Sequence, residues 1–349
     1  MKFLIFSDLH FCEYSSILRK DDIQYSVRLN NLIKTMNWVE ATAIENNCDR
    51  VISLGDFFDK PDLNSREITA LKEIKWSNIP HTFLVGNHEA SAKSLAYNSV
   101  NVLKSYGFDI IEKATVELFP DSSILYVPYF LENDRKTLTE YWSIVPQSEL
   151  DKCKKIVFSH NDVKGIQYGS FLSTNGFDIT DIEMNCDLFL NGHLHNGLKF
   201  CKNGINIGNT TGQNFSEDAF KYSHDIFILD TVANTVESIE NPFAFNFYKL
   251  EINVLADLEI LSSLKSQSVL SIKCKDYLLD DLKSAINKNS DKIIESRIIT
   301  TFDSVDITTP SETISKSLSI DYLSRFVEFC LLKIENTQIL QDELAEICK

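Results

Sequence analysis

Five short motifs carry the residues best suited to chemistry: Asp8-Leu9-His10, Gly55-Asp56, Gly86-Asn87-His88-Glu89, Ser159-His160 and Gly192-His193-Leu194-His195. Their side chains offer carboxylate, imidazole and amide oxygen. That mixed oxygen and nitrogen set suits Mn, Fe or Zn, and the lack of thiolate argues against a structural zinc site. Two ions sharing one site need a bridge, which a carboxylate can supply because it has two oxygens. A pair of ions about 3.5–4 Å apart polarises a phosphoryl group, generates hydroxide near neutral pH and stabilises the leaving oxygen of an in-line displacement. Each motif alone is commonplace, since a lone histidine usually packs in a core or faces solvent. Five in order, each in the same local setting, point to a dinuclear site for phosphodiester hydrolysis.

That setting is a short apolar run before each motif: Phe3-Leu4-Ile5-Phe6, Val51-Ile52-Ser53-Leu54, Thr82-Phe83-Leu84-Val85, Ile156-Val157-Phe158 and Leu188-Phe189-Leu190. Runs this continuous read as strands buried on both faces, as in a sheet flanked by helices. Helical patterns lie between them. From Val27 to Glu45, residues Leu29, Leu32, Ile33, Met36, Val39, Ala43 and Ile44 fall on one stripe, and Ser65 to Lys75 is a second helix. Alternating strand and helix gives the class α/β. Ligands of open α/β sheets bind in the crevice outside the carboxyl ends of the strands, so the motifs are predicted to converge at one rim of a single sheet. Gly204 to Gly208 and His224 to Asp230 read as further strands that close the layer.

Residues 1–240 form one expected domain. After Asn241-Pro242 the pattern changes: Phe247 to Ile252, Ser268 to Lys273 and Ile293 to Thr301 read as strands, with helices near 255–265 and 277–288. This predicts a compact β-α-β-α-β unit over 241–308. The tail, 309–349, carries two helical stripes, Ile320 to Ile334 and Ile339 to Ile347. It either folds back on its own core or docks on a partner.

A chain of 349 residues, 44% of them apolar, can bury one large core and an appended unit. Its net charge of -16 argues against a broad surface that grips nucleic acid by neutralising phosphates. A nuclease of this composition must be locally basic, or borrow affinity from metals or a partner. The lysine clusters Lys152-Lys154-Lys155 and Lys199-Lys202 read as solvated faces. The 8 cysteines, without a C-x-x-C pair, fit reduced thiols in a cytoplasmic protein. The opening apolar run stops at Ser7-Asp8, short of a secretory core, and no later stretch approaches the ~20 apolar residues of a membrane helix.

As a set the five motifs resemble the calcineurin-like metallophosphoesterase superfamily over roughly residues 1–230. Within it, the chain is most similar to the nuclease subunit of SbcCD and MRN-type recombination complexes, including the bacteriophage versions. The residues behind that finer likeness are Gly55-Asp56-Phe57-Phe58-Asp59-Lys60 running into Ser65-Arg66-Glu67, Ile207-Gly208-Asn209-Thr210 after the last histidine pair, and the cap and tail beyond.

The resemblance implies a sheet sandwich flanked by helices, with a small β-α-β-α-β cap and a helical C-terminal tail. It implies that Asp8, His10 and His195 hold one metal, that Asn87, His160 and His193 hold the other, and that Asp56 bridges them. His88 would then face the scissile phosphate as the stabiliser of the transition state or the proton donor to the leaving oxygen. Asp59 would orient His88, or is simply a surface or helix-leading residue. Glu89 supports the site or is structural. The ions would be two divalent cations, with Mn2+ preferred over Mg2+, Fe2+ or Zn2+. The implied activity is exonuclease and endonuclease cleavage of DNA, as the nuclease subunit of an SbcCD-like repair complex. The implied partners are an SbcC-like ABC-type ATPase that docks on the tail after Pro310, and a second copy of this chain within a heterotetramer. Dimerisation would use helices near Leu63 to Ile74 and Ala96 to Tyr106.

The sequence departs from that pattern in two places. Glu89 stands where recombination nucleases commonly show Asp and phosphoprotein phosphatases show Glu, and Ser159 precedes His160 in place of the usual Gly. A phosphoprotein phosphatase or small-molecule phosphodiesterase therefore remains the rival enzyme, although Lys60-Pro61 replace its phosphate-clamping Arg-Gly. An inert scaffold of the same fold is the third reading, opposed by a full set of ligand positions.

Overall fold

The computed structural model describes residues 1–17, 24–91, 94–150, 153–168 and 171–301. The strands that precede the motifs are β1 (Lys2–Phe6), β2 (Arg50–Ser53), β3 (His81–Leu84), β4 (Lys154–Ser159) and β5 (Leu188–Asn191). The predicted helix is α1, Val27–Glu45, started by Ser26, whose side chain accepts from the Leu29 N–H.

The five strands belong to two sheets, where the hydrophobic pattern suggested one. The first sheet runs Thr235–Glu240, Asp225–Asp230, β1, β2, β3, Asp109–Ile111. The second runs Leu198–Lys199, Gly204–Asn206, β5, β4, Ser122–Val127, Thr115–Leu118. Pairings β1–β2, β2–β3 and β4–β5 are parallel, whereas Asp225–Asp230 joins β1 antiparallel. The two expected closing strands thus lie in different sheets.

Alternation along β1 explains the layering. Phe3 and Ile5 point into a core shared with Ile124, Tyr126, Ile156, Phe158 and Leu190 of the second sheet. Leu4 and Phe6 point the other way, into a core with Leu29, Leu32 and Met36 of α1. The outer face of the second sheet packs Val157 and Phe189 against Leu138, Trp142 and Ile182. The architecture is therefore a mixed α/β sandwich of two sheets with helices outside, and both faces of each ligand-bearing strand are buried.

Beyond it, Asn246–Ile252, Ser268–Lys275 and Ile293–Thr301 form a separate parallel three-stranded sheet. The segments between its strands are a 3-10 helix, Leu255–Ser263, and an α-helix, Leu279–Lys288. The tail at 309–349 lies outside the described residues. The helix expected to run to Lys75 stops at Ala70, with a 3-10 turn to Glu73. In a continuing α-helix the Lys75 N–H would bond the Leu71 carbonyl; it instead bonds Asn37 Oδ1 at 2.6 Å, and the Trp76 indole takes the Leu71 carbonyl at 3.2 Å. Ala96 to Tyr106 opens as strand, Ser94–Asn98, before a 3-10 helix at Ser99–Tyr106. Among the described residues no helix is long and apolar enough to cross a membrane.

Candidate metal centre

Each motif sits on the loop leaving its strand, at the carboxyl edge of the sandwich. The loops are crowded: a Cβ on Gly86 would fall 2.1 Å from Asp56 Oδ1, and one on Gly192 would fall 2.1 Å from Ser7 Oγ. Glycine is therefore required for the close approach. Four of the motif residues themselves take left-handed backbone angles, with φ of 50° at Asp8, 49° at His10, 48° at Asp56 and 76° at His193. Such conformations are costly outside glycine and concentrate at functional sites.

The side chains meet in two groups. Asp8, His10 and His195 offer ligand atoms within 4.8 Å of one another, as do Asp56, His160 and His193. A third triad, His10, Asp56 and His88, overlaps both. Asn87 joins the second group, its Oδ1 lying 2.8 Å from His193 Nδ1 and 3.2 Å from His160 Nε2. All seven predicted ligand positions are thus brought together across the two sheets.

The histidines are oriented from behind. His10 Nδ1 bonds Asp59 Oδ1 at 2.9 Å, His160 Nδ1 bonds the Leu54 carbonyl at 2.9 Å, and His195 Nδ1 bonds Glu217 Oε1 at 3.1 Å. His193 is turned round, with Nε2 3.3 Å from Asp162 Oδ1 and Nδ1 facing Asn87. An acceptor on one ring nitrogen fixes a proton there and leaves the lone pair of the other nitrogen aimed inward, the arrangement that metal-ligating histidines use. Asp8 Oδ1 and His10 Nε2 are buried and have no hydrogen-bond partner. A buried carboxylate oxygen and imidazole nitrogen left bare, side by side, fit a cation between them.

Asp56 occupies the middle. Its Oδ1 accepts from the His88 backbone N–H at 2.9 Å, while Oδ2 lies 3.2 Å from His160 Nε2 and 3.9 Å from His10 Nε2. One oxygen, Oδ2, therefore faces both groups, where two oxygens were expected to divide the task. Burial alone would raise the Asp56 carboxyl, but the neighbouring His160 and His10 hold it well below the usual carboxylate range. Burial alone would lower His160, yet the Asp56 carboxylate raises it to about 9. The concentration of negative charge is strong enough to retain a proton on a fully buried imidazole, which is the electrostatics of a cation site.

The structure places Asp59 otherwise than expected and gives Glu89 a supporting place. The Asp59 carboxylate is 2.9 Å from His10 Nδ1 but 3.7 Å from His88 Nδ1, so it orients His10. The Asp59 backbone carbonyl, 3.1 Å from His88 Nδ1, holds His88. Glu89 is fully buried and accepts from the N–H groups of Phe58 at 3.0 Å and Gly86 at 2.6 Å, tying the second and third loops together. Burial, reinforced by the nearby Asp56 charge, pushes its carboxyl up to about 8. Glu217, Asp162 and the Leu54 carbonyl were not foreseen. Glu217 lies 22 residues after His195 with no motif around it, so only the fold reveals it.

The calcineurin-like phosphoesterase family matches this sequence over residues 1–224. The chain belongs to that family. It is accordingly a metal-dependent hydrolase of phosphoesters, with the two clusters above as its candidate divalent-metal sites. No curated protein matches the sequence. Among solved structures, this phosphoesterase is similar to TT1561 of Thermus thermophilus, with 12% identity, a TM-score of 0.41, and coverage of 68% of this chain and 98% of that one. It is also similar to a dimetal phosphatase from Danio rerio, with 14% identity, a TM-score of 0.39, and coverage of 65% and 91%. The calcineurin-like phosphoesterase YfkN from Bacillus subtilis shows 12% identity, a TM-score of 0.38, and coverage of 69% and 88%.

Proposed function

We propose that this phosphoesterase is a DNA exonuclease and endonuclease, the nuclease subunit of an SbcCD-like repair and recombination complex in the cytoplasm. Asp8, His10 and His195 would hold one ion, and Asn87, His160 and His193 the other, with Asp56 Oδ2 between them. When bound, two divalent ions, Mn2+ by preference, supply Lewis-acid polarisation of the phosphoryl group and a hydroxide nucleophile near neutral pH. His88 lines the cleft beside this centre, with Nδ1 anchored on the Asp59 carbonyl. Its free Nε2 is the group that stabilises the phosphoryl oxygens or protonates the leaving oxygen. Asp59 keeps His10 in the tautomer that presents Nε2.

The observation that carries the choice of a diester is what stands beside Asp56. Lys60 occupies the position of a phosphatase's clamping arginine, and its ammonium is engaged by Glu67 of the helix Ser65–Ala70 at 2.9 Å. The site opens instead onto a cleft of about 400 Å3. The acidic net charge of -16 favours a partner that contributes DNA affinity. The SbcC-like ATPase would dock on 309–349, and a second copy of this chain on the segments after motifs two and three, where Ile68 and Tyr97 are exposed. Glu89, the phosphatase-like residue of motif three, favours a phosphomonoesterase as the second reading.

Incubating the chain with Mn2+ and labelled DNA, a phosphopeptide and a cyclic nucleotide in parallel decides between them. Loss of DNA alone supports the nuclease. Loss of phosphopeptide or cyclic nucleotide with DNA intact refutes it.

A further inference from the structure

The cleft continues past His88 and His195 to a wall that includes Tyr14, Arg28 and Asn214. Arg28 is the only lysine or arginine lining it among the described residues. It sits in the first turn of α1, 4% exposed, where the helix brings its guanidinium under the first motif. Its contacts there are long, 3.3 Å to the Gly212 carbonyl and 3.5 Å to the His10 carbonyl. Good bonds of this kind are nearer 2.9 Å. The Asp59 carboxylate of the same cleft feels its charge without pairing to it within 4.0 Å, and the Cys12 thiol is a further hydrogen-bonding neighbour. A buried guanidinium is stable only with compensation, and its planar fork suits a phosphate held through two oxygens. At the mouth of the same cleft, Tyr14 is 77% exposed although Phe11 and Cys12 beside it are buried. An aromatic ring left in solvent next to a phosphate site is a platform on which any base can stack.

We propose that this wall is a subsite for the nucleotide next to the scissile phosphate. Arg28 holds that nucleotide's other phosphate and Tyr14 stacks on its base. The inference deepens the nuclease reading and rests on it: it assigns the ligand as a polynucleotide strand that occupies the cleft beyond the reacting bond.

The test compares two substrates with Mn2+, a fluorescent single-stranded oligonucleotide and bis(p-nitrophenyl) phosphate, which has no flanking nucleotide. Arg28→Gln and Tyr14→Ala should each lower the ratio of kcat/KM for oligonucleotide over the small diester by about tenfold, through KM, while Tyr14→Phe keeps the parental ratio. An unchanged ratio in Tyr14→Ala overturns the subsite, and because Tyr14 is exposed this variant decides even if Arg28→Gln fails to fold. So does an Arg28→Gln protein that folds but loses Mn2+ and both activities together, since Arg28 would then only brace the His10 loop. A parent chain that cleaves the small diester but no oligonucleotide ends the nuclease reading itself, and the subsite with it. A parent that cleaves both, with Tyr14→Ala unaffected, sinks the subsite alone.

Discussion

Removing the Glu217 carboxylate should loosen the metal at His195 without touching any ligand. In the folded chain its two oxygens accept three hydrogen bonds, from His195 Nδ1 at 3.1 Å, Asn209 Nδ2 at 3.1 Å and the Gln213 N–H at 3.0 Å. Glu217→Ala strips the acceptor that fixes the His195 tautomer, and loss of such a partner typically weakens metal binding about 10–100-fold, or roughly 1.4–2.8 kcal/mol. It also leaves up to three donors in a buried site, at about 1–3 kcal/mol for each that water does not reach, so the metal-free protein should melt at a lower temperature. Glu217→Gln should fall between the two: its amide oxygen can still receive His195, but its NH2 must face another N–H. Calorimetric titration with Mn2+, run beside thermal melts of the metal-free and metal-saturated forms, separates the two effects. Parental affinity at both metal sites in a folded Glu217→Ala protein would show that the His195 orientation does not depend on this carboxylate.

Other outcomes are equally specific. His88→Ala should keep both ions yet lose about 2.7–4 kcal/mol of transition-state stabilisation, seen as a 10²–10³-fold drop in kcat; hydrolysis at the parental rate would remove His88 from the reaction. His160, held protonated by Asp56 up to about pH 9, must shed its Nε2 proton to bind a cation. Mn2+ affinity should therefore climb as pH rises toward about 9 and flatten above it, with proton release visible as calorimetric enthalpies that vary with the buffer; a pH-independent affinity would contradict this. His81→Phe should cost about 3–5 kcal/mol in denaturant unfolding, because it leaves the Glu40 carboxylate, now 2.7 Å from His81 Nε2, buried without that partner; a loss below about 1 kcal/mol would mean that water replaces the imidazole.

Much of this architecture was legible in the residues. The α1 stripe gave its boundaries because one face packs on the sheet and Ser26 caps its start. The apolar runs located the ligand strands because each is buried on both sides. What those runs cannot encode is which sheet a strand joins: Phe158 and Phe3 look alike in sequence, yet they meet edge to face from opposite layers. The same limit applies to the site. Asp, His and Asn ligands stand in short motifs that spacing reveals, whereas Glu217 reaches His195, and the Asp59 carboxylate reaches His10 in preference to His88, through loop geometry that no local pattern specifies.

The place of β1 between β2 and the late strand Asp225–Asp230 governs when this enzyme can first work during synthesis. Asp8 and His10 leave the ribosome well before one neighbour of their strand, which lies more than two hundred positions further along. At about 5–20 residues per second that neighbour arrives roughly ten to fifty seconds later. Until then the earliest ligands have half a scaffold, so a nascent chain cannot assemble its metal centre and hydrolyse a phosphoester before the strand at 225–230 has emerged.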